Sequence, residues 1–227
     1  MQSFFCVTQQ YPHAIKPTGR PGHVSFYTGT QTELLYAMPG SGGAVTTSQT
    51  LLSLNSTSGI PYQLPGGYFT QQSGTGTGKS LLIKGGGNFT TSSTGNSLTL
   101  AVGIDSTAGT LNTLASTGAF TPAVSVTNGA FEFECLVTCQ LLGSGAGTKL
   151  AAVGHVFIGA ANNAATATFS SGAGVTGGAG VVMIGAPQTA VAITNSAPYF
   201  IEVFATWSAT TGSPTITMTN FLVFGLN

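Results

Sequence analysis

The chain has 227 residues, of which 42% are hydrophobic and only 4% are charged, five Lys/Arg against five Asp/Glu. An ordinary globular protein carries about 25% charged residues. So balanced and sparse a charge leaves no basic stripe for nucleic acid, no apolar run of the roughly 18 residues that a membrane helix needs, and a polar surface of Gly, Ser, Thr, Ala, Asn and Gln that loses water cheaply.

Residues 1–23 read as an irregular N-terminal arm, with no charged segment followed by an apolar one of the secretory kind. Tyr11 and Pro12 are candidate contact residues in that arm. Pro12, Pro17, Pro21, Pro39 and Pro61 punctuate the first sixty positions. Only short strands fit there, at Val24–Thr28, Glu33–Met38 and Thr50–Leu54. A boundary is expected near Ile60-Pro61, separating an arm with short strands (1–60) from a β-sandwich (61–227). Residues 24–60 are either part of that extension or early strands of the same sandwich. Tyr62, Tyr68 and Phe69 follow, either as interface packing or, with Trp207, as an aromatic platform for a sugar.

Gly74-Thr75-Gly76-Thr77-Gly78-Lys79-Ser80 invites a phosphate-loop reading, but Ser73 stands where the motif needs its first glycine. A short strand, Ser80–Lys84, follows instead of a helix whose N-terminus could face phosphates. Lys84-Gly85-Gly86-Gly87-Asn88 then reads as a turn. Ser97–Ile104 places a large apolar residue at every second position, the period of a strand. Asp105, the sole aspartate, sits in a turn-forming stretch and reads as a turn residue, not a triad member.

The clearest strand is Phe131–Leu141. Phe131, Phe133, Cys135, Val137, Cys139 and Leu141 are expected on one face, Glu132, Glu134, Thr138 and Gln140 on the other. Glu132 and Glu134 project in parallel about 7 Å apart. Glycosidase carboxylates flank a sugar from opposite walls, so a solvated face, a calcium contact or a subunit contact is the better reading. Cys135 and Cys139 lie roughly 13 Å apart along a strand, beyond disulfide reach. With Cys6 they make an odd count, so they read as small buried hydrophobes in a reducing compartment.

Gly143–Gly147 and Ser171–Gly174 read as turns, and Leu150–Ile158 and Val181–Ile184 as strands. His13, His23 and His155 are scattered, with no metal-ligand spacing between them, so no metal and no cofactor is expected. Tyr199, Ile201, Val203, Ala205 and Trp207 share one face of a further strand. Thr215–Asn220 alternates and then turns mostly apolar through Phe221-Leu222-Val223-Phe224. That last run is either buried on both faces or closes an interface, which makes Phe221 and Phe224 candidate interface residues. Many strands with glycine-rich turns and no amphipathic helix predict an all-β protein, an antiparallel β-sandwich of jelly-roll type with an N-terminal extended arm.

Four segments occur in an order and spacing that resembles tailed-bacteriophage virion proteins: Thr30–Tyr36, Ile60–Phe69, Gly78–Gly87 and Thr94–Leu100, followed by the ending Ser213–Asn227. The similarity spans about residues 30–227. Ser97 stands where that pattern often has proline, and residues 1–23 have no counterpart in it. The resemblance implies a jelly-roll virion component without catalytic residues. It is either a head decoration (cement) protein or a tail-tip or fibre protein binding host glycans. The first implies a homotrimer on the major capsid protein lattice, made in the host cytoplasm and carried on the outer capsid surface, with neither nucleic acid nor membrane as partner.

Overall fold

The structure, a computed structural model, describes residues 32–41, 50–55, 61–69, 79–142, 147–159, 181–185, 191–194 and 196–226. The arm with Tyr11 and Pro12, the strand expected at Val24–Thr28, Cys6, His13, His23, the glycine loop at 74–78, residues 143–146 of the first glycine turn and Ser171–Gly174 lie outside the described residues.

Among the described residues thirteen strands run in chain order: β1 (Thr32–Ser41), β2 (Thr50–Leu51), β3 (Leu54–Asn55), β4 (Tyr62–Leu64), β5 (Ser80–Thr90), β6 (Leu98–Asp105), β7 (Thr113–Ser116), β8 (Gly129–Leu141), β9 (Thr148–Ile158), β10 (Val181–Gly185), β11 (Val191–Ile193), β12 (Tyr199–Trp207) and β13 (Thr215–Leu226). Every pairing is antiparallel. The larger layer has the order β1-β13-β5-β8-β9-β10; the smaller has β12-β6-β7, with β2 and β4 beside β12. One residue pair, Gly185 with Ser116, joins the two along an edge. Side chains from both inner faces meet in a single core: Leu81, Ile83, Phe133, Cys135 and Val156 from the larger layer, Leu100, Val102, Ile201 and Trp207 from the smaller. The protein is an all-β sandwich, as the period-two pattern predicts.

The strand expected at Thr50–Leu54 is split. β2 pairs with β12 in the smaller layer and β3 pairs with β1. Between them Leu52 and Ser53 are wholly buried. Ser53 Oγ accepts the Val203 N–H at 2.9 Å, and Leu52 donates its N–H to Val203 O at 2.7 Å. β1 pairs with β13 from Thr32 to Pro39, so β1 and β2 are strands of the sandwich itself. β4, β7 and β11 are short strands that the pattern along the chain did not announce.

The glycine run Gly85-Gly86-Gly87 is not a turn: it lies in the middle of β5, paired with β8 on one side and β13 on the other. The reason is space. A Cβ at Gly85 would sit 2.5 Å from the Phe133 ring, and one at Gly87 would collide with Thr217 O. Glycine in a strand interior marks such close approach as well as bends.

Leu141 also departs from its expected face. A bulge between Cys139 and Leu141 puts Leu141 opposite Lys149 and leaves it 50% exposed, while the inward run ends at Cys139. A second bulge, between Met218 and Asn220, resets β13. Ile216 and Met218 point inward before it, Phe221 and Val223 after it, all with 0% exposure. The apolar run at the end of the chain is therefore half core and half outer surface.

Candidate functional site

The outer face of the larger layer is the surface that stands out. Register carries one row across five strands: Leu34 opposite Phe224, Phe224 opposite Leu82, Leu82 opposite Leu136, and Leu136 opposite Val153. Five apolar side chains thus lie side by side on the solvent face. Leu34 and Val153 are 54% and 50% exposed, and Leu82, Leu136 and Phe224 are partly exposed. A bulge between Leu34 and Tyr36 brings Leu34 outward while Tyr36 packs against the core.

The neighbouring row holds Ala37, Leu222, Lys84, Glu134 and His155. Lys84 Nζ and Glu134 Oε2 form an ion pair at 2.6 Å in the middle of it, the only one among the described residues. Both partners are more than a third exposed, so the pair contributes little to stability. It does neutralise the centre of the face. A third row holds Asn220, Gly86, Glu132 and Phe157. Phe157 is 45% exposed and meets the His155 ring edge-on at 4.6 Å between centroids. Two shallow hollows pit the surface. One, of about 390 Å³, lies over Gly86 and Gly87 between Lys84, Glu132 and Leu222. The other, of about 220 Å³, lies between Glu134, Leu136, Val153 and His155. The face thus carries one apolar band flanked by rows of mixed polarity. The band can exclude water against a matching surface; among the described residues the face offers no nucleophile held by a base and no set of groups converging on a reacting atom.

Of the described residues named from the sequence as interface candidates, only Phe224 lies on this face, alongside Glu132, Glu134 and His155, which the sequence had weighed for other roles. Phe221 is buried in the core, and Phe69 is 2% exposed. Tyr62 and Tyr68 are half-buried and packed within the protomer. Tyr62 stacks on Tyr36 at 4.7 Å, and Tyr36 meets the edge of Phe221 at 6.1 Å. Tyr68 lies edge-on to Phe69 at 5.2 Å and donates its hydroxyl to Ser80 O at 3.2 Å. This aromatic group ties β4 and the turn after it to β1, β5 and β13. Burial, with the phenol of Tyr62 and the carboxylate of Glu33 behind it, pushes the Tyr68 phenol up to about 12. Burial, then Glu33, raises that of Tyr62. Trp207 is 1% exposed. The four aromatics weighed as a sugar platform are therefore mostly interior.

The other expectations resolve in detail. Cys135 and Cys139 are free and buried, and burial pushes the Cys135 thiol up to about 12. Asp105 caps its own turn, its Oδ1 accepting the Thr107 N–H at 2.8 Å. Glu132 and Glu134 occupy the outer face, Glu134 with Lys84.

The apolar row went unread because its members lie far apart in the chain. A local signal existed: Leu81-Leu82-Ile83, Leu136-Val137 and Phe221–Phe224 break strict alternation by placing apolar residues on both faces. Glu202 was also missed. It lies on β12 with 0% exposure, accepting the Gly109 N–H on Oε1 at 2.6 Å, while Oε2 has no hydrogen-bond partner. Burial raises its pKa; the Gly109 hydrogen bond lowers it and Asp105 raises it further.

Comparison of the chain with protein-family models, with curated proteins and with solved structures finds no match.

Proposed function

We propose that the chain is a structural protein of a tailed-bacteriophage particle, which self-associates as a trimer and binds the head lattice as a decoration protein. The observation that carries this reading is the apolar row Leu34-Phe224-Leu82-Leu136-Val153, an exposed band that crosses five strands. Isolated exposed apolar residues are ordinary, but a contiguous band marks an interaction surface. The occupant is a second copy of the chain, because the band is apolar, the row beside it is neutralised by the Lys84–Glu134 pair, and nothing in the band selects a strongly charged partner. The sparse charge of the whole chain fits the same use.

Strand order supports the jelly-roll form implied by the virion resemblance. β1-β13-β5-β8 lie in one layer and β4-β12-β6-β7 in the other, with the chain passing between layers at most connections. This is the order of two interleaved Greek keys, with β9 to β11 as an addition after the sixth strand. Copies of such a unit repeated on a lattice would turn weak contacts into firm binding through avidity.

Mass photometry of the purified protein, alone and with genome-free heads of the phage, tests the reading. Trimers that load heads saturably at lattice stoichiometry are the expected result. A monomer that leaves heads bare overturns it. The tail-tip reading needs an exposed aromatic platform, and only Tyr62 and Tyr68 of its four aromatics keep any exposure beyond a few per cent. Specific hits on a glycan array would favour it instead.

A further inference from the structure

A second feature lies on the opposite layer and is independent of the association surface. On the outer face of the smaller layer Glu202 stands opposite Gly103 and Phe200 opposite Asp105. Asp105 and Glu202 are therefore diagonal neighbours on one face, a separation that long side chains span. Gly103 contributes no side chain between them, and Leu111 lies over it. The segment 106–110 is exposed and folds back over Glu202, held by the Gly109 N–H on Oε1 and by the Asp105 turn. Gly109 adopts a φ of +80°, which suits glycine.

The arrangement has a defect as it stands. Glu202 is wholly buried, its Oε2 has no partner, its neighbour is another carboxylate, and no Lys or Arg among the described residues pairs with either. A buried carboxylate without a counter-charge is strongly unfavourable. Protonation alone does not cure it unless the two carboxyls share the proton, because the new O–H would sit on the atom that has no partner. A cation cures the orphan oxygen, the like-charge repulsion and the buried charge together.

The geometry points to a divalent-cation site of the calcium class, built from Glu202 Oε2, the free oxygen of Asp105 and carbonyl oxygens of the 106–112 loop. The donor set is oxygen only. Among the described residues no three His, Cys, Asp or Glu side chains come together, so a site here has two side-chain ligands and draws its remaining oxygens from backbone and water. Calcium accepts carboxylate, carbonyl and water oxygens in flexible geometry, whereas magnesium demands a stricter octahedron and sheds water reluctantly. With two carboxylates the affinity belongs to the weak class, a Kd of about 10⁻⁴ to 10⁻³ M. The bound ion would clamp the β6–β7 loop onto β12.

The test is thermal unfolding of the full chain at neutral pH in EDTA, in excess CaCl₂ and in excess MgCl₂, with calorimetric titration of CaCl₂. Calcium at about ten times Kd is expected to raise Tm by roughly 3–6 °C, to titrate as one site per chain, and to exceed magnesium. Glu202→Gln and Asp105→Asn should each abolish the shift and the heat. Asn keeps the oxygen that accepts the Thr107 N–H, so Asp105→Asn carries the test should Glu202→Gln not fold. No calcium-dependent shift or heat in the wild-type chain overturns the proposal. So does a shift that survives in Asp105→Asn. Two carboxyls sharing one proton would give the first of these results.

Discussion

Leu136 lies inside the exposed apolar row, between Leu82 and Val153. Replacing it with Asp tests whether that face joins copies. Strands about 4.8 Å apart and a two-residue repeat of about 6.7 Å give each outward side chain roughly 32 Å² of planar footprint. Five strands by three or four rows then supply about 500–650 Å² before side-chain relief is added, against about 800 Å² per partner in a standard interface. Leu34 and Val153 are about half exposed and the other three less than that, so burying the remainder yields about 1 kcal/mol or less per side chain, at most about 5 kcal/mol gross per copy. Association costs are of similar size, so the wild-type contact is moderate and sensitive to one residue. Leu136→Asp removes about 1 kcal/mol of burial and leaves a desolvated carboxylate worth several more. The expected weakening is about 10³-fold. Because the side chain points outward but is mostly covered by its neighbours on the face, fold stability should fall by only about 1 kcal/mol. Sedimentation velocity over a dilution series reads the association, and circular dichroism reads the fold. A variant that associates like the wild type while remaining folded would refute this use of the face.

Three further outcomes concern the fold. Ser53→Ala leaves the Val203 N–H buried without its acceptor, a loss of about 1–3 kcal/mol that differential scanning calorimetry should show as a lower Tm. Gly85→Val forces a side chain against the Phe133 ring and should destabilise the chain by about 1–3 kcal/mol through overpacking, measurable by urea unfolding. Cys135 should resist a thiol reagent at pH 8 in the native protein and react on unfolding. Its folded pKa is raised from 9.0 to about 12, so the unfolded chain ionises first and stability contributed by the neutral thiol declines from about pH 9 toward 12. Cys135→Ala should flatten that decline in urea midpoints measured against pH, although it lowers stability below about pH 9.

Local spacing pointed to strands at 97–104, 131–141, 150–158 and 199–207, which the structure has at 98–105, 129–141, 148–158 and 199–207, because alternation is a local property of an extended chain with one side against a core. It also placed Cys135 and Cys139 inside, and turn composition put Asp105 at a turn, where it ends β6 and caps the residues that follow. Local spacing cannot register an inserted residue. Bulges at Leu34/Tyr36, Cys139/Leu141 and Met218/Asn220 each exchange the two faces of a strand, and a slip of one position is invisible until the partner strand is known. The same holds for Gly85-Gly86-Gly87, whose composition suits a turn and whose packing requires a strand. Leu34 and Phe224 become neighbours only because β1 pairs with β13. Glu202 becomes a buried anion beside Asp105 only because β12 pairs with β6 beneath the 106–110 segment. Strand positions were therefore written in the local pattern of the chain, whereas the apolar band and the carboxylate pair were decided by long-range register.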